Sequence, residues 1–191
     1  GHITPTVQDL YAVYGLGPTD VWAVGSNGAA IHYDGDHWTQ FDSDTTDHLY
    51  AVWGGATDDV WAVGDYGTAT HYTAGTWTSM WVSGASDLND LHGFETDDVW
   101  AVGYGGHAFN WDGDAWNRED PTSSEELFAV WGAATDDVWA VGEHGLVVHW
   151  NGSVWTEDTS VSGGYLHGVG GTGPDDVWIV GWFGDMYHWA G

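Results

Sequence analysis

The sequence predicts an all-β chain of five units, each of four short antiparallel strands. The first observation is a phrase written five times, Asp-Val-Trp-Ala-Val-Gly or a close variant, whose tryptophans Trp22, Trp61, Trp100, Trp139 and Trp178 stand 39 residues apart. Leu10, Leu49, Leu88, Leu127 and Leu166 keep the same period, as do two rows of glycine, so the units align without insertion or deletion. Fixed-period self-similarity of this length is the signature of a repeat architecture. The second observation is that apolar runs of strand length, bounded by Gly, Asp and Asn, fill each unit, with no helical period across a helix-length window. The third is that the first two strands of each unit carry almost no polar residue on either face. An antiparallel sheet with one wet face would alternate, so these strands must be covered on both sides. Four-stranded sheets packed face to face around an axis achieve that, which predicts a five-bladed β-propeller.

Within the second unit the strands read LYAVWG (Leu49–Gly54), DVWAVG (Asp59–Gly64), TATHYT (Thr68–Thr73) and TWTSMW (Thr76–Trp81). Asp34-Gly35, Asp112-Gly113 and Asn151-Gly152 separate strands three and four and predict type I′ hairpins, with positive φ at both central residues. The second glycine of each Gly-x-x-Gly between strands two and three is expected to supply a positive φ. The Asp before Val-Trp (Asp20, Asp59, Asp98, Asp137, Asp176) is expected to bond nearby backbone N–H groups at the turn it ends. The third-strand histidines His32, His71, His149 and His188, with Asn110 in the third unit, are expected to bond local backbone within their own blades.

The blades fall at residues 10–48, 49–87, 88–126, 127–165, and 166–191 with 1–9, as one domain. The fifth unit stops after its third strand, so Ile3–Thr4 is expected to supply the missing outer strand, closing the ring and hiding an open edge.

Twenty-nine Asp and Glu face a single basic residue, Arg118, for a net charge of −28. Folded domains usually carry a magnitude of roughly 2–8. Self-repulsion at this density opposes the compact state unless salt screens it, and at about 1 M the Debye length falls to roughly 3 Å. The composition is similar to that of proteins from extreme halophiles, archaeal ones above all. Nucleic acid is not expected as a partner, because no basic residue beyond Arg118 could neutralise phosphates. Cysteine is absent, and no apolar stretch is long enough to span a membrane. The segment DSDTTDH (Asp42–His48) spaces carboxylates somewhat like a calcium loop, but lacks its glycine and terminal glutamate. No cofactor or metal is expected, and the chain is expected to be monomeric.

Candidate ligand-binding residues gather at the start of the first strands. The residue before each leucine would stand at one mouth of the channel: Asp9, His48, Asp87, Glu126 and Tyr165. The third unit breaks the pattern within its first strand, placing Asn89, Asp90 and His92 where other units are apolar or aromatic. Asp90 is the one acidic residue inside any first strand. With His167 of the fifth unit these form a candidate polar cluster, since departures from a repeat's local rule concentrate at functional sites. No Gly-x-Ser-x-Gly, His-Glu-x-x-His or P-loop is present.

The pattern DVWAVG-x-x-G-x-x-x-HYDG-x-x-W, here Asp20–Trp38, resembles a β-propeller repeat found in secreted or surface proteins of bacteria and haloarchaea. The resemblance covers Leu10–Gly191 and implies fold and an extracellular or cell-surface location rather than an activity. The chain is also similar, in blade number, to five-bladed lectins of the tachylectin type, but repeat length and motif differ and no binding residue carries over. The leading expectation is a non-catalytic binding or scaffold propeller for a protein or glycan. A lectin-like module would show exposed aromatics, such as Trp81, Trp182 or Tyr66, at equivalent positions in several blades. A glycoside hydrolase would need two carboxyls within about 5–9.5 Å of each other, and Asp90 with the rim carboxylates are its candidates.

Overall fold

Short apolar runs joined by Gly- and Asp-bounded turns leave each repeat one compact solution, the antiparallel meander. The computed structural model describes residues 5–161 and 163–191, in two units, Gly1–Leu88 and Asn89–Gly191. The first unit holds two sheets: β1 (Leu10–Gly17), β2 (Asp20–Gly25), β3 (Ala29–Tyr33) and β4 (Trp38–Asp42), then β5 (Leu49–Ala56), β6 (Asp59–Gly64), β7 (Thr68–Thr73) and β8 (Thr76–Trp81). The second unit holds β9 (Leu88–Glu95) from Asn89 onward, β10 (Asp98–Gly103), β11 (Ala108–Trp111) and β12 (Trp116–Arg118). Its next sheet is β13 (Leu127–Ala134), β14 (Asp137–Gly142), β15 (Val147–Trp150) and β16 (Trp155–Glu157). A three-stranded sheet follows, β17 (Leu166–Gly173), β18 (Asp176–Gly181) and β19 (Met186–Trp189). In all five sheets the strands lie in chain order. Ile3–Thr4, expected to complete the fifth sheet, lies outside the described residues.

Within each unit, neighbouring sheets pack face to face. Trp22, Val24 and Ala30 of the first sheet bury against Leu49, Val52, Val60, Ala62 and Trp77 of the second. Trp100, Val102 and Ala108 meet Leu127, Val130, Val138 and Ala140 in the same way, and Trp139, Val141 and Val147 meet Leu166, Val177 and Ile179. Trp22, Trp100 and Trp139 of the repeated phrase are therefore core, packed against the next sheet.

The repeated Asp departs from expectation. Its carboxylate accepts a hydrogen bond from the third-strand imidazole of its own sheet in four of the five sheets, and at Asp176 also one from the Thr172 hydroxyl across the turn. His32 Nε2 donates to Asp20 Oδ1 (2.8 Å), His71 to Asp59 (2.6 Å), His149 to Asp137 (2.6 Å) and His188 to Asp176 (2.8 Å). In the third sheet Asn110 Nδ2 donates to Asp98 Oδ1 (2.7 Å). Strand register explains the pairing. His32 lies opposite Trp22 and His71 opposite Trp61, and the Asp two residues before each Trp shares its face. The imidazole thus stacks on the indole, at 4.0 Å between centroids and 6° for Trp61–His71, while its edge reaches the carboxylate.

Of the two turn expectations, one meets the structure differently and one is met. The Asp-Gly and Asn-Gly dipeptides do not make two-residue type I′ turns. Tyr33 pairs with Trp38, so the connection has four residues, and Asp34 Oδ1 accepts from the N–H of Asp36 and of His37. Asp112 and Asn151 do the same. These bonds, that from His37 first, lower the Asp34 pKa. The two-residue turn with both φ positive is Ala74-Gly75. Between strands two and three the backbone makes a single 3-10 turn in every sheet, and the second glycine does carry positive φ, from 69° at Gly28 to 87° at Gly184.

Candidate functional site

The residues preceding the repeated leucines are first of all backbone acceptors. The carbonyls of Asp9, His48, Glu126 and Tyr165 take the N–H of Ser26, Asp65, Glu143 and Trp182, at 2.8–3.0 Å. Each contact draws the strand-two glycine so close that a Cβ on Gly64 would lie 1.7 Å from the His48 oxygen, and one on Gly142 1.9 Å from that of Glu126. That is why the phrase ends in glycine. Two rim side chains also serve the fold of the first unit. His48 Nδ1 accepts from Asn27 N (3.0 Å) and Asp87 Oδ1 from Tyr66 N (2.9 Å), each meeting the turn that precedes it. The Asp9 side chain is exposed.

In the second unit the expected polar cluster forms in part, and its chemistry is structural. β13 is an edge strand whose outer N–H and C=O groups need partners, and the third-sheet side chains supply them. Asn89 Nδ2 donates to the Leu127 carbonyl and to Glu126 Oε1, both at 2.8 Å. Asp90 Oδ2 accepts from Val130 N at 2.9 Å, and His92 bonds the Gly132 backbone. Burial pushes Asp90 up to about 6 against the lowering effect of the Val130 and Leu91 N–H groups. Burial likewise holds His92 below the ordinary imidazole value, partly offset by its bond to Gly132.

His167 is not joined to this ladder by any hydrogen bond or ring contact among the described residues. Its ring stacks on Phe128 (4.8 Å, 25°) and lies 5.2 Å from Trp182. Tyr165 is 4.6 Å from Trp182 and 6.1 Å from Phe128. Four rings thus form a continuous shelf, with Trp182 49% exposed. Phe183 extends it, 97% exposed at φ 57°, a conformation seldom adopted by bulky residues. Beside Tyr165 stands His144, ring centroids 6.0 Å apart. Glu125, Glu143 and His144 bring their ligand atoms within 4.8 Å of one another, enough to receive a cation, although His144 Nδ1 is already bonded to Glu125 (2.8 Å).

Tyr165 and His167 were legible as candidates; Phe128, Trp182 and Phe183 as their companions were not. The available signal was the fifth unit's Gly-Trp-Phe-Gly, where the others read Gly-Ser-Asn-Gly, Gly-Asp-Tyr-Gly, Gly-Tyr-Gly-Gly and Gly-Glu-His-Gly. The calcium-like segment does not converge. Asp42 accepts from Asp44 N, Asp44 from Ser79, and Asp47 from the Thr68 hydroxyl.

No family model matches the sequence, and no curated protein matches it. Solved structures do. The chain is similar to YCF48 bound to D1 peptide, with a TM-score of 0.76 and 17% identity over 99% of this chain and 66% of that one. It is similar to YCF48 from Cyanidioschyzon merolae, at 0.74 and 16% over 98% and 71%. It is similar to the WD40 β-propeller domain of Doa1, at 0.78 and 11% over 100% and 70%. The chain therefore spans about two thirds of the length of the solved chains it matches. At these identities the likeness is one of fold, and the fold is that of a β-propeller, in five sheets of three or four antiparallel strands.

Proposed function

We propose that the chain is a non-catalytic binding or scaffold propeller whose ligand is a segment of another protein, taken up on the shelf of Phe128, Tyr165, His167 and Trp182. The observation that carries this reading is the shelf itself: stacked aromatic rings, open to solvent, beside the carboxylates of Glu125 and Glu143. Aromatic faces flanked by carboxylates suit Arg and Lys side chains, which gain cation–π and ionic contacts together. The YCF48 structure with a peptide bound adds support from a similar fold. Asp90 fits no catalytic role in this reading, since its carboxylate is committed to the β13 backbone.

A repeated-site lectin is the less favoured reading. Tyr66 and Phe183 share one turn position and Tyr104 and Trp182 another, so exposed aromatics recur in two sheets of five at each. As part of the same proposal, the acidic, lysine-free surface suits a halophile's cell surface or medium.

A peptide-display selection in molar KCl, counter-screened with Trp182→Ala, tests the reading. Enrichment of Arg- or Lys-bearing aromatic peptides that the variant no longer retains is the expected result. Enrichment indifferent to Trp182, or binding confined to a glycan array, would refute it.

A further inference from the structure

The ring of Phe128 sits at a break in its own ladder. Along β13 and β14, Leu127 pairs with Gly142 and Ala129 with Val141. The step from Leu127 to Ala129 takes two residues on β13 and one on β14, so Phe128 is the extra residue of a β-bulge. The first, second and fifth sheets break register at the same place, at Tyr11, Tyr50 and His167. A bulge leaves its residue out of the ladder and re-aims its side chain, so β14 by itself does not fix where the Phe128 ring points.

The third sheet supplies what β14 does not. Asn89 Nδ2 donates to the carbonyl of Leu127, the residue before Phe128, at 2.8 Å. Asp90 Oδ2 accepts from the N–H of Val130, two residues after it, at 2.9 Å. The bulge is thus bracketed along its outer edge. Asn89 also bonds Glu126 Oε1 at 2.8 Å, which orders a carboxylate two residues from the ring. Other repeats do not build this bracket. The row of Asn89 reads Tyr11, Tyr50, Asn89, Phe128 and His167, and that of Asp90 reads Ala12, Ala51, Asp90, Ala129 and Gly168. The third repeat gives up a ring and an alanine for a donor and an acceptor, and both act on the strand that carries Phe128.

From this the structure assigns Asn89 and Asp90 as positioning residues of the shelf: they hold the β13 bulge so that the Phe128 ring stays against His167 and Tyr165, pre-formed for a basic peptide side chain. This rests on the shelf being the ligand site. The contacts at stake are Phe128–His167, 4.8 Å between centroids at 25°, and Phe128–Tyr165, 6.1 Å at 26°. A shelf formed all the time binds at its intrinsic affinity, whereas one formed a tenth of the time binds about tenfold more weakly.

Three variants of the whole chain, in molar KCl, test the assignment. Asp90→Ala installs the residue that the first, second and fourth repeats carry at that place, which removes one side of the bracket with a side chain the repeat accommodates. Asn89→Asp removes both donors at unchanged size. Asp90→Asn keeps an acceptor for Val130 and serves as the rescue. Circular dichroism checks that the sheets persist in each. The first readout needs no ligand: the ring proton resonances of His167, displaced by the ring current of Phe128, are expected to move in Asp90→Ala and Asn89→Asp and to stay in Asp90→Asn. The second is the affinity for a labelled Arg-Trp-Arg tripeptide, expected to fall about tenfold in the same two variants and to hold in Asp90→Asn. Resonances that ignore both bracket variants, or a change shared equally by Asp90→Asn, would overturn the assignment. A tripeptide that binds Trp182→Ala as well as wild type would instead remove the shelf as its site, and the His167 resonances would still decide whether Asn89 and Asp90 position the rings.

Discussion

Replacing Asp90 by Asn should make the protein more stable at pH 8 and leave it nearly unchanged at pH 4.5. Folding raises this carboxyl from 3.8 to about 6 because protein surrounds it. A raised acid pKa means that the native state holds a proton the unfolded chain has already shed. Stability contributed by the protonated form is therefore complete below about pH 4, falls as pH rises through about 6, and is absent above it. At 1.36 kcal/mol per pH unit the gap is worth about 3 kcal/mol, and the partial solvent contact of Asp90 trims it. Asn removes the charge while its Oδ1 still accepts from Val130 N. It surrenders one of the two carboxylate acceptors that between them serve Val130 N and Leu91 N, at about 1 kcal/mol. The net gain expected at pH 8 is roughly 1–2 kcal/mol, or about 2–8 °C in melting temperature for a chain of this size. Thermal melts of wild type and variant at both pH values, in the same molar KCl, read this directly, because the other acids titrate alike in both proteins. A variant less stable at pH 8, or a difference that ignores pH, would refute burial as the cause.

The stacked imidazoles should be worth more than their hydrogen bonds. His71→Ala is expected to cost about 2–4 kcal/mol in urea denaturation, losing the stack on Trp61 and stranding the buried Asp59, while His71→Asn should recover about half, as Asn110 serves Asp98 in the third sheet. Gly142→Ala places a Cβ 1.9 Å from the Glu126 carbonyl, and its loss should exceed about 3 kcal/mol, measured by the same denaturation. Melting temperature should climb with KCl to molar levels because −28 charges are screened; a temperature independent of salt would remove the argument for a salt-adapted surface.

The sequence by itself determined the secondary structure and the sheet unit, because a period shared by tryptophan, leucine and glycine admits one local solution repeated along the chain. It also marked Asn89, Asp90 and His92 as departures from that solution, but not what they depart for. Their partners are backbone groups of β13, some forty residues on, and a sequence pattern carries no sign of which edge a side chain will meet. The same limit applies to Asp20 and its repeats: Asp and turn go together locally, and only the register that sets His32 opposite Trp22 turns the carboxylate toward the imidazole. Tyr165 and His167 were visible as rim residues, whereas the shelf they form with Phe128 and Trp182 exists only after sheet packing brings the fourth and fifth repeats together. Burial differs most sharply from what identical letters suggest. Trp139 and Trp178 occupy the same place in the same phrase, yet one is core and the other half-exposed, because burial belongs to the neighbour that covers a residue and not to the residue itself.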